Sequence, residues 1–138
     1  MLSYTYDHIH LRSRDAMATA QYFETMFGAK ILESVQSDGA SRIDLDLNGL
    51  AIFLLPSGPD IPDGPAEPYV GLDHFGLRVD DIEAAAADLR AKGAEFWMEP
   101  NQFRPGLKIA FIKAPGDIRV EILERSGQEK RAKEACPF

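Results

Sequence analysis

Two stretches of this chain nearly repeat each other: Asp7-His8-Ile9-His10-Leu11-Arg12 and Asp73-His74-Phe75-Gly76-Leu77-Arg78, with the first histidine of each 66 residues apart. In both, apolar and polar residues alternate, the period of a half-buried strand with one face on a layer of helices. His8 and His74 then point away from that layer. A repeat of this length is too long for a solenoid unit and occurs only twice, so the chain is constrained to two copies of one supersecondary unit.

A helix start follows each strand, at Ser13 or Asp15 in the first copy and at Asp80 or Asp81 in the second. Ala16, Ala20, Phe23 and Phe27 then recur at helical spacing, as do Ile82, Ala86 and Leu89. Gly28 and Gly93 end the helices, because glycine accepts the left-handed conformation found just past a helix C-terminus. Beyond them the period returns to two. Strands are expected over about Ile31 to Val35, Ser41 to Leu47 and Leu50 to Leu55, with Asn48-Gly49 as a hairpin turn. Their counterparts are about Glu95 to Met98, Leu107 to Lys113 and Ile118 to Leu123, with Pro115-Gly116-Asp117 as the turn. Each half reads βαβββ.

Between the halves, prolines 56, 59, 62, 65 and 68 exclude both a helix and a central strand. The 138 residues suit one domain, 1–138, with units at about 4–55 and 71–125, a linker at 56–70 and a tail at 126–138. Gln128 to Glu134 reads as a charged, helical, solvated appendage. A net charge of −7 without clustered Lys and Arg argues against nucleic acid as a partner. The lone Cys136 excludes an internal disulfide and a Cys-rich zinc site, and reads as an incidental tail thiol. The longest apolar stretch, Leu50 to Pro56, is far too short to span a bilayer, and no basic segment followed by a long apolar one opens the chain. The expectation is a cytoplasmic protein acting on a small molecule, with no membrane partner.

Aligning Leu50-Ala51-Ile52-Phe53-Leu54-Leu55 with Ile118-Arg119-Val120-Glu121-Ile122-Leu123 sets Phe53 opposite Glu121. Val120 and Ile122 fit the helix-facing side, which leaves Arg119, Glu121 and Leu123 on the side that His8 and His74 face. A carboxylate between valine and isoleucine in a core-like strand needs a partner, since a buried unpaired charge is expensive. A metal or an arginine would satisfy it.

With these residues the chain resembles the vicinal oxygen chelate superfamily of glyoxalase I, methylmalonyl-CoA epimerase, extradiol dioxygenases, fosfomycin resistance enzymes and bleomycin-binding proteins. The resemblance covers roughly residues 4 to 125. It is carried by Tyr6-Asp7-His8-Ile9, Tyr22-Phe23 through Phe27-Gly28, Leu72 to Val79, and Ile109-Ala110-Phe111-Ile112 through Pro115-Gly116 to Val120-Glu121-Ile122. It implies an α+β fold in which two βαβββ units form a curved eight-stranded mixed sheet around a metal site, in a homodimer. It also implies that His8, His74 and Glu121 hold one divalent ion. The fourth ligand position holds Phe53, which cannot ligate, a departure from glyoxalase I and the epimerases. Two histidines and one carboxylate resemble instead the extradiol dioxygenases and fosfomycin-modifying enzymes, and leave positions of the ion open for a chelating substrate. Fe²⁺ or Mn²⁺ suits the set best, with Zn²⁺ or Ni²⁺ compatible.

Strand parity puts His10 and Arg12 on the face of His8, and Gly76 and Arg78 on that of His74. His10, an imidazole able to give or take a proton, is the acid–base candidate beside Glu121. Arg12, Phe53, Arg78 and Arg119 are the candidate substrate contacts. Arg42, Asp44, Asp46 and Lys108 either line a polar cavity and orient an anionic substrate or pair with each other. Glu99 to Pro105 reads as a lid or as an ordinary connecting loop. The expected function is a metal-dependent enzyme that chelates vicinal oxygens of a small substrate and stabilises an oxyanion, as a glyoxalase-like lyase or isomerase. The alternatives are an Fe²⁺-dependent ring-cleaving dioxygenase and a metal-free, bleomycin-resistance-like binder.

Overall fold

In the computed structural model, residues 2–127 are described; the expected tail helix over Gln128 to Glu134 and the thiol of Cys136 lie outside them. The chain divides into two compact units, Met1–Asp63 and Gly64–Phe138, so the division falls inside the proline-rich segment. The first unit runs β1 (His8–Ser13), α1 (Ala16–Phe27), β2 (Lys30–Val35), β3 (Ser41–Leu47) and β4 (Leu50–Pro56). The second runs β5 (Phe75–Arg78), α2 (Ile82–Ala91), β6 (Glu95–Arg104), β7 (Leu107–Ala114) and β8 (Ile118–Arg125). The eight strands form two four-stranded mixed sheets, ordered β1-β4-β3-β2 and β5-β8-β7-β6. In each the first and last strands of the unit pair in parallel and the remaining pairs are antiparallel.

Local chemistry sets the element ends. Of the two candidate caps in each copy, Asp15 and Asp81 fill the role: their carboxylates accept from the N–H of Ala18 and Ala84 three residues on. Ser13 instead accepts from Asp15 N–H and shares a 2.6 Å hydrogen bond with the buried Thr19. Gly28, at φ 73°, ends α1 in the left-handed region. Asn48 and Gly49 both carry positive φ, as the two-residue hairpin between β3 and β4 requires.

Helix and sheet close one core in each unit. Ala16, Ala20 and Phe23 of α1 are buried with Leu45, Leu47, Ile52 and Leu54. Ile82, Ala86 and Leu89 of α2 are buried with Ala110, Ile112, Val120 and Ile122. Each large aliphatic or aromatic side chain buried in this way contributes about 1.5–3 kcal/mol. Phe27, expected on the same stripe, is half-buried at the helix end.

Several strand ends differ from the sequence reading: β4 takes in Pro56 as its last residue, β2, β7 and β8 gain one or two residues, and two further differences bear on the site. β5 begins at Phe75, so His74 stands just ahead of the strand rather than within it. The segment Glu99 to Pro105 is neither a lid nor a free loop: β6 continues through it to Arg104 and turns at Pro105-Gly106. Because β6 is the edge strand, Pro100 interrupts little pairing, and register shifts between Met98 and Asn101 and between Gln102 and Arg104 absorb the irregularity.

Candidate functional site

The helix-free face of the second unit carries the densest polar constellation. Asp73 Oδ2 lies 2.6 Å from His74 Nδ1, and His74 Nε2 lies 3.0 Å from Glu121 Oε2. A carboxylate only accepts, so Asp73 takes a ring proton on Nδ1, and Nε2 faces Glu121 either as the second N–H of an imidazolium or as a lone pair. Two acceptors at 3.0 Å repel unless a proton or a cation lies between them. Donors on adjacent corners of one ion, with bonds of about 2.1 Å, stand about 3 Å apart, so the pair fits two neighbouring metal ligands. The Glu121 side chain is only 18% exposed, and such a partner offsets the cost of burying it.

The residues around this pair hold it in place. The His74 ring meets Phe111 edge-on at 4.8 Å. Glu121 is registered between Gly76 on β5 and Phe111 on β7. A Cβ on Gly76 would stand 3.3 Å from Glu121 Oε2 and 3.0 Å from a Leu123 methyl, so the missing side chain is what gives the carboxylate its room. Leu123 packs with Leu107 and Ile109, and with Met98 and Phe111, into an apolar cluster beside the carboxylate. Arg119 donates to the Ala66 carbonyl at 2.9 Å, approaches Asp73 at 3.5 Å and lies over Trp97. The hydrogen bond from His74 holds Asp73 below the usual carboxylate range, aided by the charges of His74 and Arg119 and opposed by desolvation.

The equivalent face of the first unit repeats half of this arrangement. Asp7 Oδ2 lies 2.5 Å from His8 Nδ1, again leaving Nε2 as the free donor atom. Where the second unit has Glu121, the first has Phe53, and the His8 ring stacks on it at 4.0 Å. His10, registered opposite Phe53, meets its ring edge-on at 6.1 Å and that of His8 at 6.2 Å. Arg42 lies over Phe53 at 4.4 Å and donates from Nε to Asp44 at 2.8 Å. Desolvation, with the Asp7 charge, raises the Tyr6 phenol above its ordinary range.

Of the sequence-derived residues, His74 and Glu121 are thus in contact, and His8, His10 and Phe53 form a second group. Arg12 and Arg78 are exposed at the strand ends. Among the described residues no group of three or more His, Cys, Asp or Glu side chains converges on one point as a metal would require. Lys108 does not share the face of Arg119. It pairs in register with Glu124 on the helix side, where Glu124 accepts from Ile82 N–H at the start of α2. Asp46 accepts from Gly49 N–H in its own turn. Asp7 and Asp73 join the site beyond the residues expected from the sequence, and the repeated Asp-His dipeptide is their signal.

The chain belongs to the Glyoxalase/Bleomycin resistance protein/Dioxygenase superfamily, which it matches over residues 5–122. Protein YwkD of Bacillus subtilis strain 168, itself uncharacterized, is 27% identical over 130 residues, covering 91% of this chain and 100% of that protein. A probable chloroplastic lactoylglutathione lyase of Arabidopsis thaliana is 39% identical over 56 residues, covering 40% of this chain and 16% of that protein. The crystal structure of a glyoxalase family protein from Enterococcus faecalis superposes with a TM-score of 0.69 at 25% identity, covering 87% of this chain and 97% of that one. No described helix is long and apolar enough to cross a membrane.

Proposed function

We propose that this protein is a divalent-metal-dependent enzyme that chelates vicinal oxygens of a small substrate and acts as a glyoxalase-like lyase or isomerase. The observation that carries this reading is the pairing of His74 Nε2 with Glu121 Oε2 at 3.0 Å while Asp73 occupies Nδ1. His74 and Glu121 would hold the ion with His8, whose Nε2 is freed by Asp7 in the same way. Fe²⁺ or Mn²⁺ suits two imidazoles and a carboxylate with open positions. Bound there, the ion supplies Lewis acidity to a developing oxyanion. His10 carries a proton to or from the substrate, and the cluster of Leu107, Ile109 and Leu123 limits water beside Glu121. Phe53 packs against the substrate, while Arg12, Arg78 and Arg119 attract its anionic groups. Membership of the superfamily and the partial match to a probable lactoylglutathione lyase support lyase chemistry.

The test is metal analysis of purified protein by inductively coupled plasma spectrometry, with light scattering on the same samples. About one ion per chain and a dimer mass are expected. His8→Ala, His74→Ala and Glu121→Ala should each lose the metal while keeping the fold. Wild-type occupancy in Glu121→Ala sinks the ligand assignment, and a metal-free wild type after loading with Fe²⁺ and Mn²⁺ leaves His74 as an imidazolium between two carboxylates in a binding protein.

A further inference from the structure

We infer that Arg42 anchors a second, distal carboxylate of the substrate, with Arg12 beside it, so that the substrate class is a dicarboxylate whose other end carries the chelating oxygens. The inference rests on the metal-dependent reading above for the chelated end only.

Three features of the first unit point to this. Arg42 is held on one side: Asp44 accepts from its Nε at 2.8 Å and its guanidinium carbon lies over the Phe53 ring, 4.4 Å from the ring centre. This uses one donor of five and leaves the outer fork open. Among the described residues no acceptor takes either Nη group. A guanidinium stacked, oriented through Nε and open at Nη presents the planar edge that matches a carboxylate with two parallel hydrogen bonds.

The second feature is position. His8 stands opposite Ala51, two residues before Phe53, while Arg42 follows the Ile43–Leu54 pair and so stands beside Leu55, two residues after it. His8 and Arg42 therefore approach Phe53 from opposite directions along β4. The ring distances of 4.0 and 4.4 Å keep the guanidinium within two stacking layers of the imidazole, a separation a short carbon chain spans. The third feature is charge. Arg12 is registered with Leu55, so Arg12 and Arg42 flank that residue on one face, and Arg12 also has no partner among the described residues. Of the acidic side chains on that face of β3, Asp44 is engaged with Nε through Oδ2 alone, its buried Oδ1 having no hydrogen-bond partner among the described residues, and Asp46 is engaged with its own turn. On a chain of net charge −7, two arginines with open donors on one face single out an anion.

Calorimetric titration of Mn²⁺-loaded protein tests the proposal with malate, 2-hydroxyglutarate and 2-hydroxyadipate, each against the 2-hydroxy monocarboxylate of equal length. Both members of a pair share the chelating end. At least one diacid should bind about 10- to 100-fold more tightly than its monoacid, the range for a charge-assisted pair of hydrogen bonds. Arg42→Lys, which keeps the charge opposite the half-buried Asp44 and hence the fold, should reduce that ratio to a few-fold and leave monoacid binding unchanged. No preference in the wild type, or a preference that survives in Arg42→Lys, overturns the proposal. If the protein binds no Mn²⁺, the metal reading has failed separately, and glutarate is titrated into metal-free protein while the Arg42 Nε–H resonance is followed. A saturable shift then upholds the anchor, and its absence overturns it.

Discussion

Replacing Gly76 by alanine isolates the part of the candidate centre that depends on space alone. Gly76 does not occupy the left-handed region, so the added methyl brings no backbone strain. It would, however, sit 3.0 Å from Leu123 Cδ2 and 3.3 Å from Glu121 Oε2, against about 3.5–4.0 Å for an unstrained contact. Leu123 is 9% exposed and locked against Leu107 and Ile109, so the carboxylate is the neighbour that yields, by a few tenths of an ångström. Crowding of this kind costs about 1–3 kcal/mol, partly offset by the roughly 0.4–1 kcal/mol that alanine gains over glycine through the unfolded chain. A net loss of about 0–2.5 kcal/mol, read by urea denaturation of the metal-free protein, is the expected result. The functional effect should be larger in proportion, because ligand distances tolerate only about 0.2 Å before a metal site weakens. Competition with a chromogenic chelator should show Mn²⁺ affinity falling tenfold or more. Unchanged affinity in a folded Gly76→Ala protein would refute the argument that this glycine sets the position of Glu121.

Two further outcomes follow from the hydrogen bonds at the edges of the site. Arg14 donates to the Gly58 carbonyl at 2.5 Å, to the Ile61 carbonyl and to Asp63 at 2.9 Å. Arg14→Ala should therefore speed limited proteolysis between residues 58 and 63 while shifting global stability by less than about 1 kcal/mol, as expected of exposed pairs; an unchanged cleavage pattern would mean that the prolines alone order the segment. Asp73, held low chiefly by the His74 hydrogen bond, adds stability that is present above the ordinary aspartate range and fades as pH falls through its depressed value. Carbon-detected NMR should find its midpoint below that of a free aspartate and rising in His74→Phe; an ordinary midpoint in the wild type contradicts the pairing.

The elements were legible because each rests on local chemistry or on a repeated period. Asp15 and Asp81 announce helix starts, Asn48-Gly49 a hairpin, and Val120 and Ile122 the buried face that leaves Glu121 on the other. What the sequence concealed depends on which strand lies at an edge. Pro100 looks like a strand breaker until β6 is known to be the outermost strand, where a missing N–H disturbs least. Lys108 reads as one of the charges lining a polar cavity only while its strand lacks a register. Pairing of Lys108 with Glu124, and of Phe111 with Glu121, assigns them to opposite faces. The Asp-His dipeptides were visible but silent, since adjacent residues on a regular strand point apart. Asp73 and His74 precede β5, and Asp7 precedes β1, where that rule does not hold.

The two faces also differ at two coupled positions rather than one. In the parallel pairing of the first unit His10 stands opposite Phe53, and in that of the second Gly76 stands opposite Glu121. A carboxylate at the second position requires an open first position, as the 3.3 Å gap above Gly76 demonstrates. An aromatic ring at the second position requires neighbours that stack, which His8, His10 and Arg42 supply. The two units therefore share the strand order and the Asp-His dipeptide and differ in one coupled pair. That difference divides the chemistry: one unit presents a carboxylate beside its imidazole, and the other an aromatic platform bearing an imidazole on one side and a guanidinium on the other.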